Sequence, residues 1–450
     1  MTTPLARLAT ALDAIAAATP LGLFSHVAAE EACRSAEEST RRSAAGDARS
    51  PLEGRLIALK GNIAVRGWPW QGGLRARRGM IADEDAAVVT RLRAAGVVLL
   101  GQTTQDEGAL GAEGLALEGP IRHPLDPVRS TGGSSGGSAG ALAAGLCDLA
   151  LGSDTIGSLR IPAALCGVAA LKPSFGRVSV RGVLPVHPRF DHVGPMARDL
   201  RDLTALLAVI QGHDPASALS VDYAMQAAPG AAGSTALGAQ PDDARPLAGW
   251  RIGYGIGFDD LDPAPAVIDG YNASLAALRA AGAELSPVDL RPLELRRTRR
   301  AVFALCEHEM WRTHGDAMSA RPDDWSGRIR GLLEYGASLG AAKLAALDAR
   351  VTGFQFSWEQ RVDELDACVT PTTPCVAFRH DAPPPDNLAD LTVIGTAAAL
   401  PALSVPCPTT AASAAAAGGD GLPVGLQVLT PRGADARALA VATVLIRRGQ

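Results

Sequence analysis

TGGSSGGSAGALAAGLCDLALGSDTIGSLRIP, residues Thr131 to Pro162, sets Ser134 and Ser158 in glycine-rich surroundings on either side of an Ala/Leu-rich piece. Glycines flanking a serine let backbone N–H groups approach whatever the hydroxyl attacks. Ala141–Leu149 reads as a short buried helix and Ala150–Gly152 as a strand end feeding the second loop. Two serine loops joined by such an element could bring both hydroxyls to one pocket. Taken alone, a Gly-Ser run is an ordinary flexible turn. The second loop is less ordinary: Asp154, Ser158 and Arg160 put an acid, a serine and a base in a run otherwise built for burial.

Composition fits a soluble enzyme. Over 450 residues, 47% are hydrophobic and 20% charged, ample for a large core. The length alone would allow two or three domains or one large α/β sheet. A formal net charge of −5, without a dense Lys/Arg block, argues against a nucleic-acid or polybasic membrane surface. Few aromatics (4%) and abundant Ala and Gly suit tight helix–sheet packing. Seven scattered cysteines (Cys33, Cys147, Cys166, Cys306, Cys368, Cys375, Cys407) show no CxxC spacing. That pattern predicts a reducing compartment, with neither disulfides nor a zinc site. Arg7 and Asp13 interrupt Met1–Leu23, so it is not read as a secretory signal. Pro401 and Pro406 spoil the apolar run Leu391–Cys407 as a membrane helix. The expectation is a cytoplasmic protein.

From the N-terminus, Leu5–Ala18 and Ala28–Ala45 carry helical spacing, giving N-terminal helices within 1–48. Arg55–Lys60 reads as a buried strand that delivers a lysine at its end. A lysine there is ordinarily solvated. Ala86–Ala95 is an amphipathic helix leading into the apolar strand Val97–Gly101, a sequence of elements that argues for α/β layering. His187 and His192 sit in a Pro-rich loop and read as structural. Residues 213–247 are Ala/Gly/Pro/Ser-rich and form the best candidate for a loop or linker. Strand character restarts at Trp250–Tyr254, and Ala264–Ala281 is a helix capped by Gly282. Arg296–Asp366 is mainly helical; His308-Glu309-x-x-Arg312 is not HExxH and reads as a mixed-charge surface helix. Cys368–Pro374 reads as a strand running into a loop, and Thr409–Gly421 as a surface loop.

The two serine loops resemble the amidase signature family, serine amidohydrolases that cleave amides with a Ser–Ser–Lys triad. The family pattern is GGSSGG, an Ala/Gly-rich segment, then GSDTGGSIRxPA. Gly132–Gly137 and Gly152–Ala163 match it, with Ile156 where the family has Gly or Ala. The family's V-K-D-N segment is met at Lys60, with Gly61 in place of the Asp. Gln102–Glu107 partly matches G-K-T-N-x-D-E, and Asp106 and Glu107 are read as scaffold. Further matches are His123–Pro127, Cys166–Arg177, and Asp191–Arg198 as a turn before a helix. Leu400–Pro406 and Gly421–Val428 match the closing LPAxSVP and GLPVGLQ strands. The resemblance runs from about residue 50 to 440 and is weakest over 213–360.

It implies one α/β/α domain over 1–450, a large mixed sheet covered by helices on both faces. It implies Ser158 as nucleophile, a neutral Lys60 as base and Ser134, held through a cis peptide bond, as relay. Backbone N–H groups of Thr155, Ile156, Gly157 and Ser158 would form the oxyanion hole. Asp154 and Arg160, with Ser135, would hold the loops, and Gly133 and Ile161 would border the substrate. No metal or organic cofactor is required. The partner is a small-molecule amide, neither a nucleic acid nor a membrane is expected, and a homodimer is compatible with this reading.

Three functional readings stand at this point. The first is an amidase acting on small carboxylic amides. The second is a specialised relative: the glutaminase subunit of an aminoacyl-tRNA amidotransferase, or an allophanate-type ureido hydrolase. Amidotransferase subunits usually carry Gln three residues after the nucleophile, where this chain has Ile161, and allophanate hydrolases often add a C-terminal domain. The third is a non-catalytic anion-binding module on a Gly-rich loop, although GGSSGGSAG lacks the GK[ST] of a P-loop. A catalytically dead relative would follow if Ile156 and Gly61 spoil the site.

Overall fold

The computed structural model describes residues 2–223, 245–408 and 421–447. Most of the segment 213–247, and nearly all of Thr409–Gly421, lie outside the described residues. The strands in chain order are β1 (Phe24–Val27), β2 (Leu56–Lys60), β3 (Val98–Thr103), β4 (Leu115–Ala116), β5 (Gly119–Pro120), β6 (Leu149–Asp154), β7 (Ala169–Lys172), β8 (His192–Ala197), β9 (Arg251–Ile256), β10 (Glu284–Asp289), β11 (Ala367–Pro371), β12 (Ala402–Pro406) and β13 (Gly425–Leu429). Eleven of them form one mixed sheet in the order β1-β3-β2-β6-β8-β7-β12-β13-β11-β9-β10, and β4 pairs with β5 apart from it. The α/β class with a large mixed sheet is therefore as expected.

Strand alternation explains the two-sided core. Ile57 and Leu59 of β2 join one apolar cluster, while Leu56 and Ala58 join the other, so each face of the sheet is covered. A sheet buried on both faces is apolar throughout, and β2 is buried at every position, Lys60 included. The parallel neighbours β3 and β6 flank β2. The ends of β2 and β6 thereby bring Lys60 and the second serine loop together.

Two expectations need correction. The helix expected over Ala141–Leu149 runs instead from Gly136 to Ala143, and Leu149 already begins β6. Helix propensity disfavours a GGSAG start, but packing overrides it. A Cβ on Gly137 would lie 2.5 Å from the Thr104 carbonyl oxygen, and one on Gly140 2.5 Å from Leu23. The glycines let the helix lie against β3 and the chain before β1. Second, Asp191–Arg198 is not a turn; His192–Ala197 is strand β8, between β6 and β7. Pro195 obscured that reading, because proline has no N–H for a ladder. Pro195 nevertheless lies opposite Leu151 in the β6 ladder, while the β7 ladder ends one residue away, at Met196.

The remaining expected elements form close to their predicted bounds. Pro4–Ala17 and Ala29–Ala45 are helices, as are Ala87–Ala94 and Pro265–Ala280. The helical stretch after Arg296 comprises Leu295–Ala320, Gly327–Ser338 and Ala341–Val362. The run Leu391–Cys407 divides into a short helix, Val393–Ala397, and β12. Among the described residues, no helix is long and apolar enough to cross a membrane.

Candidate active site

Lys60 closes strand β2 and is fully buried. Its Nζ donates to Ser134 Oγ at 2.7 Å and to Ser153 Oγ at 2.8 Å. Asn62 Nδ2 donates to the same Ser153 hydroxyl at 3.0 Å. These contacts orient the lysine without the carboxylate that Gly61 lacks. Burial pushes the Lys60 ammonium down to about 7, against the opposing pull of Asp106, Asp154 and Asp191. A substantial neutral fraction is therefore present at neutral pH.

Ser134 is fully buried, and the Gly133–Ser134 peptide bond is cis. Gly133 has no room for a side chain, since a Cβ there would overlap the Asp106 carboxyl. Asp106 is itself buried, and burial pushes it up to about 7. Its Oδ1 accepts from the Leu115 amide at 3.1 Å, while Oδ2 has no partner among the described residues. Gly133 thus borders Asp106 at a tight backbone approach; it is not among the cavity-lining residues.

The second loop leaves β6 at Asp154. Arg160 donates from Nε and Nη2 to the two Asp154 oxygens, both at 2.9 Å, with both side chains fully buried. Burial raises the Asp154 carboxyl, but the Arg160 guanidinium outweighs it and holds the group below its usual range. Arg160 Nη1 also donates to the Thr392 carbonyl at 2.7 Å and to Gln427 Oε1 at 2.6 Å. The loop is thereby tied to the chain before β12 and to β13. The Ser135 amide donates to the Ser158 carbonyl at 3.1 Å, joining the two serine loops, and Ser135 Oγ donates to the Ser153 carbonyl at 3.1 Å.

The departure at position 156 is accommodated. The loop takes its positive φ at Gly157 (+146°), where a Cβ would overlap Thr392, and Ile156 is not among the non-glycine residues at positive φ. A β-branched residue is strained only in that region. The Thr392 hydroxyl donates to the Ile156 carbonyl at 2.6 Å and fixes the turn from outside. The amides of Ile156, Gly157 and Ser158 donate to no acceptor among the described residues.

Thr155, Ile156, Gly157, Ser158 and Ile161 all line one cavity of about 280 Å³. Ser158 is 9% exposed, and Ile156 is half-buried with its side chain against the core. Lys60 and Ser134 lie behind this wall, buried. The Thr155 hydroxyl donates to Asp191 Oδ1 at 2.7 Å, and Asp191 Oδ2 accepts from the Val186 and His187 amides.

His192, which follows Asp191 in the chain, is buried. Its Nδ1 donates to the Phe190 carbonyl at 2.7 Å, and burial and the Lys172 charge push it down to about 3. His187 is pushed down by burial to about 4. Both serve the loop around Phe190.

Sequence reasoning gave no role to Asn62, Ser153, Asp191 or Thr392, although the first three lie inside the quoted motifs. It also missed the cavity's far wall, where Arg299, Arg300, Phe303 and Cys306 come from the helix Leu295–Ala320. Their i, i+3 and i+4 spacing was the available signal.

The amidase family model matches residues 6–439. A glutamyl-tRNA(Gln) amidotransferase subunit of Koribacter versatilis (strain Ellin345) is 34% identical over 436 residues, 88% of this chain and 85% of that protein. Among solved structures, an amidase superposes with a TM-score of 0.84 at 30% identity, covering 99% of this chain and 96% of the other. An inhibitor-bound s-triazine catabolic enzyme, described with a vestigial protein complex, gives 0.87 at 29% identity, covering 100% and 96%. The curated relatives carry the name given above to the second functional reading, whereas the solved structures include enzymes of the first kind. Matched over nearly its whole length, the chain belongs to the amidase signature family, whose enzymes act on the C–N bonds of amides.

Proposed function

We propose that this protein hydrolyses the C–N bond of a small amide through a seryl acyl-enzyme at Ser158. The observation that carries the reading is the 2.7 Å contact between Lys60 Nζ and Ser134 Oγ, buried behind the loop that presents Ser158 to the cavity. With Lys60 neutral, this contact reverses: the Ser134 hydroxyl donates to the lysine lone pair. Ser134 then accepts the proton of Ser158 as Ser158 Oγ attacks the carbonyl carbon. The tetrahedral oxyanion is met by the unspent amides of Ile156, Gly157 and Ser158, with Thr155 alongside. Collapse expels ammonia or an amine, which takes a proton back through Ser134. Water then attacks the acyl-enzyme by the same route and restores Ser158. Neither a metal nor a cofactor enters these steps.

Two amides come into question. Glutamine, with the chain acting as the glutaminase subunit of an assembly, is favoured by relatives named as glutamyl-tRNA(Gln) amidotransferase subunits. A small apolar amide, handled by the chain alone, is favoured by Ile156 and Ile161 on the cavity wall. On balance the comparisons lean to the glutamine reading. A fluorophosphonate should label wild-type protein at Ser158 and leave Ser158→Ala unlabelled. Ammonia release from glutamine and from aliphatic, aryl and ureido amides then separates the readings. Wild-type protein that takes no label and releases no ammonia from any of them would refute the proposed chemistry.

A further inference from the structure

The charged groups lining the Ser158 cavity are already engaged, with one exception. Arg299 pairs with the buried Asp390. Glu113 accepts from the Ala112 amide at 3.0 Å and lies 3.9 Å from Arg328. Asp386 lies 3.9 Å from Arg296. Arg300 also lines the cavity, yet it has no hydrogen-bond or ion-pair partner among the described residues. Phe303, one turn further along the same helix, lines the cavity with it. Besides Ser158, the cavity is thus lined by the apolar Ile156, Ile161 and Phe303 and by Arg300, an exposed residue whose guanidinium has all five donors unspent. A planar, permanently charged fork of this kind matches a carboxylate.

We propose that Arg300 selects amides that carry a carboxylate at the end remote from the scissile bond. This rests on the reaction proposed at Ser158 and names its substrate class. The acyl chain lies along the apolar wall, and the carboxylate meets Arg300 at the cavity mouth. Two sources share this chemistry: the monoamide of a dicarboxylic acid, and an amino acid amide such as glutamine.

Three five-carbon amides make the test. Pentanamide has no carboxylate, glutaramate adds one, and glutamine adds an ammonium as well. Wild-type kcat/KM should favour glutaramate over pentanamide by roughly tenfold to hundredfold, the usual scale for a hydrogen bond to a charged group. Arg300→Met should bring that ratio close to one. Glutamine outperforming glutaramate would identify the amino acid source, the reverse order the dicarboxylic monoamide, and either result keeps Arg300 in its role. In parallel, glutarate should protect Ser158 from a fluorophosphonate at far lower concentration than the uncharged pentan-1-ol, and Arg300→Met should abolish the difference. Equal protection by the two compounds, or a substrate ratio unmoved by Arg300→Met, overturns the inference while leaving the reaction intact. A wild-type protein that takes no label at all breaks the reaction instead. Calorimetric titration with glutarate then decides the carboxylate site alone, and absence of binding overturns it.

Discussion

Two lysines end strands of the same sheet, Lys60 on β2 and Lys172 on β7, and both are fully buried. Burial pushes each down to about 7. By burial and acidity they are twins. Their partners differ. Lys60 faces two hydroxyls, Ser134 and Ser153, which can both give and take a proton. Lys172 donates to the Leu400 carbonyl at 2.5 Å and to the Pro173 carbonyl at 3.5 Å, with His192 Nε2 at 3.4 Å. Carbonyls only accept, and the His192 imidazole, pushed down to about 3 and donating its Nδ1 proton to the Phe190 carbonyl, is a poor proton acceptor. Lys172 therefore binds the chain before β12 and meets no hydroxyl that could relay a proton. A perturbed buried lysine is therefore a candidate base only when its neighbours can carry the proton onward.

The largest expected effect separates the two by turnover. Lys60→Met and Ser158→Ala should each lower kcat by roughly a thousandfold or more, with effects far from additive in the double variant. Lys172→Met should stay within about tenfold of wild type, since it only packs behind the site. Measured kcat values for the three variants check this. Comparable losses in Lys60→Met and Lys172→Met would erase the distinction.

The pH profile sharpens it. Lys60 works as a base only when neutral, so kcat/KM should rise with pH through about 7 and level off above it. Lys172→Met and His192→Gln should keep that limb where it is, because neither residue touches Ser134. A limb that disappears in His192→Gln would make histidine the base.

A smaller effect belongs to Ile156. Its side chain borders the cavity while Gly157 carries the positive φ, so Ile156→Gly should widen the acyl pocket without unmaking the turn. The expected gain in kcat/KM is about tenfold larger for bulky acyl amides than for acetamide, within the usual range for a methylene-scale change in a pocket. Equal changes for both would assign Ile156 to the oxyanion loop.

What was legible in the sequence follows from how far apart the contributing residues lie. Ser134, Ser158, Asp154 and Arg160 fall within one short stretch, and their spacing announced a site. Lys60 was read as a base only through the resemblance, because nothing in Leu56–Lys60 says that its end is dry; the flanking strands β3 and β6 decide that. The start of the helix at Gly136 was misread because its glycines answer to backbone neighbours at Thr104 and Leu23, which sequence does not reveal. The far cavity wall falls in Arg296–Asp366, which the sequence marks only as mainly helical. Arg299 and Arg300 look like solvent residues until Asp390 and the cavity are seen beside them. Thr392, which holds the Ile156 carbonyl, comes from 236 residues further along the chain and leaves no local trace.

The last test returns to the likeness of the two lysines and concerns stability. Each has an ordinary value near 10.5 in the unfolded chain and about 7 in the folded one. Between those values the unfolded chain binds a proton that the folded chain does not. The burial penalty is complete below pH 7 and disappears as pH rises toward 10.5. Replacing either lysine by methionine removes a penalty that changes by up to about 1.4 kcal/mol per pH unit across that window. Lys60→Met and Lys172→Met should therefore both gain stability over wild type near pH 7, offset in part by the hydrogen bonds they lose. The gain should shrink in parallel for the two as pH climbs to 9. Denaturant midpoints at pH 7, 8 and 9 read it directly. Parallel slopes with a large loss of turnover in Lys60→Met alone would show that burial sets the acidity of both lysines and that hydroxyl neighbours alone make one of them chemical. A slope seen in only one variant would mean that the other keeps its proton in the folded protein.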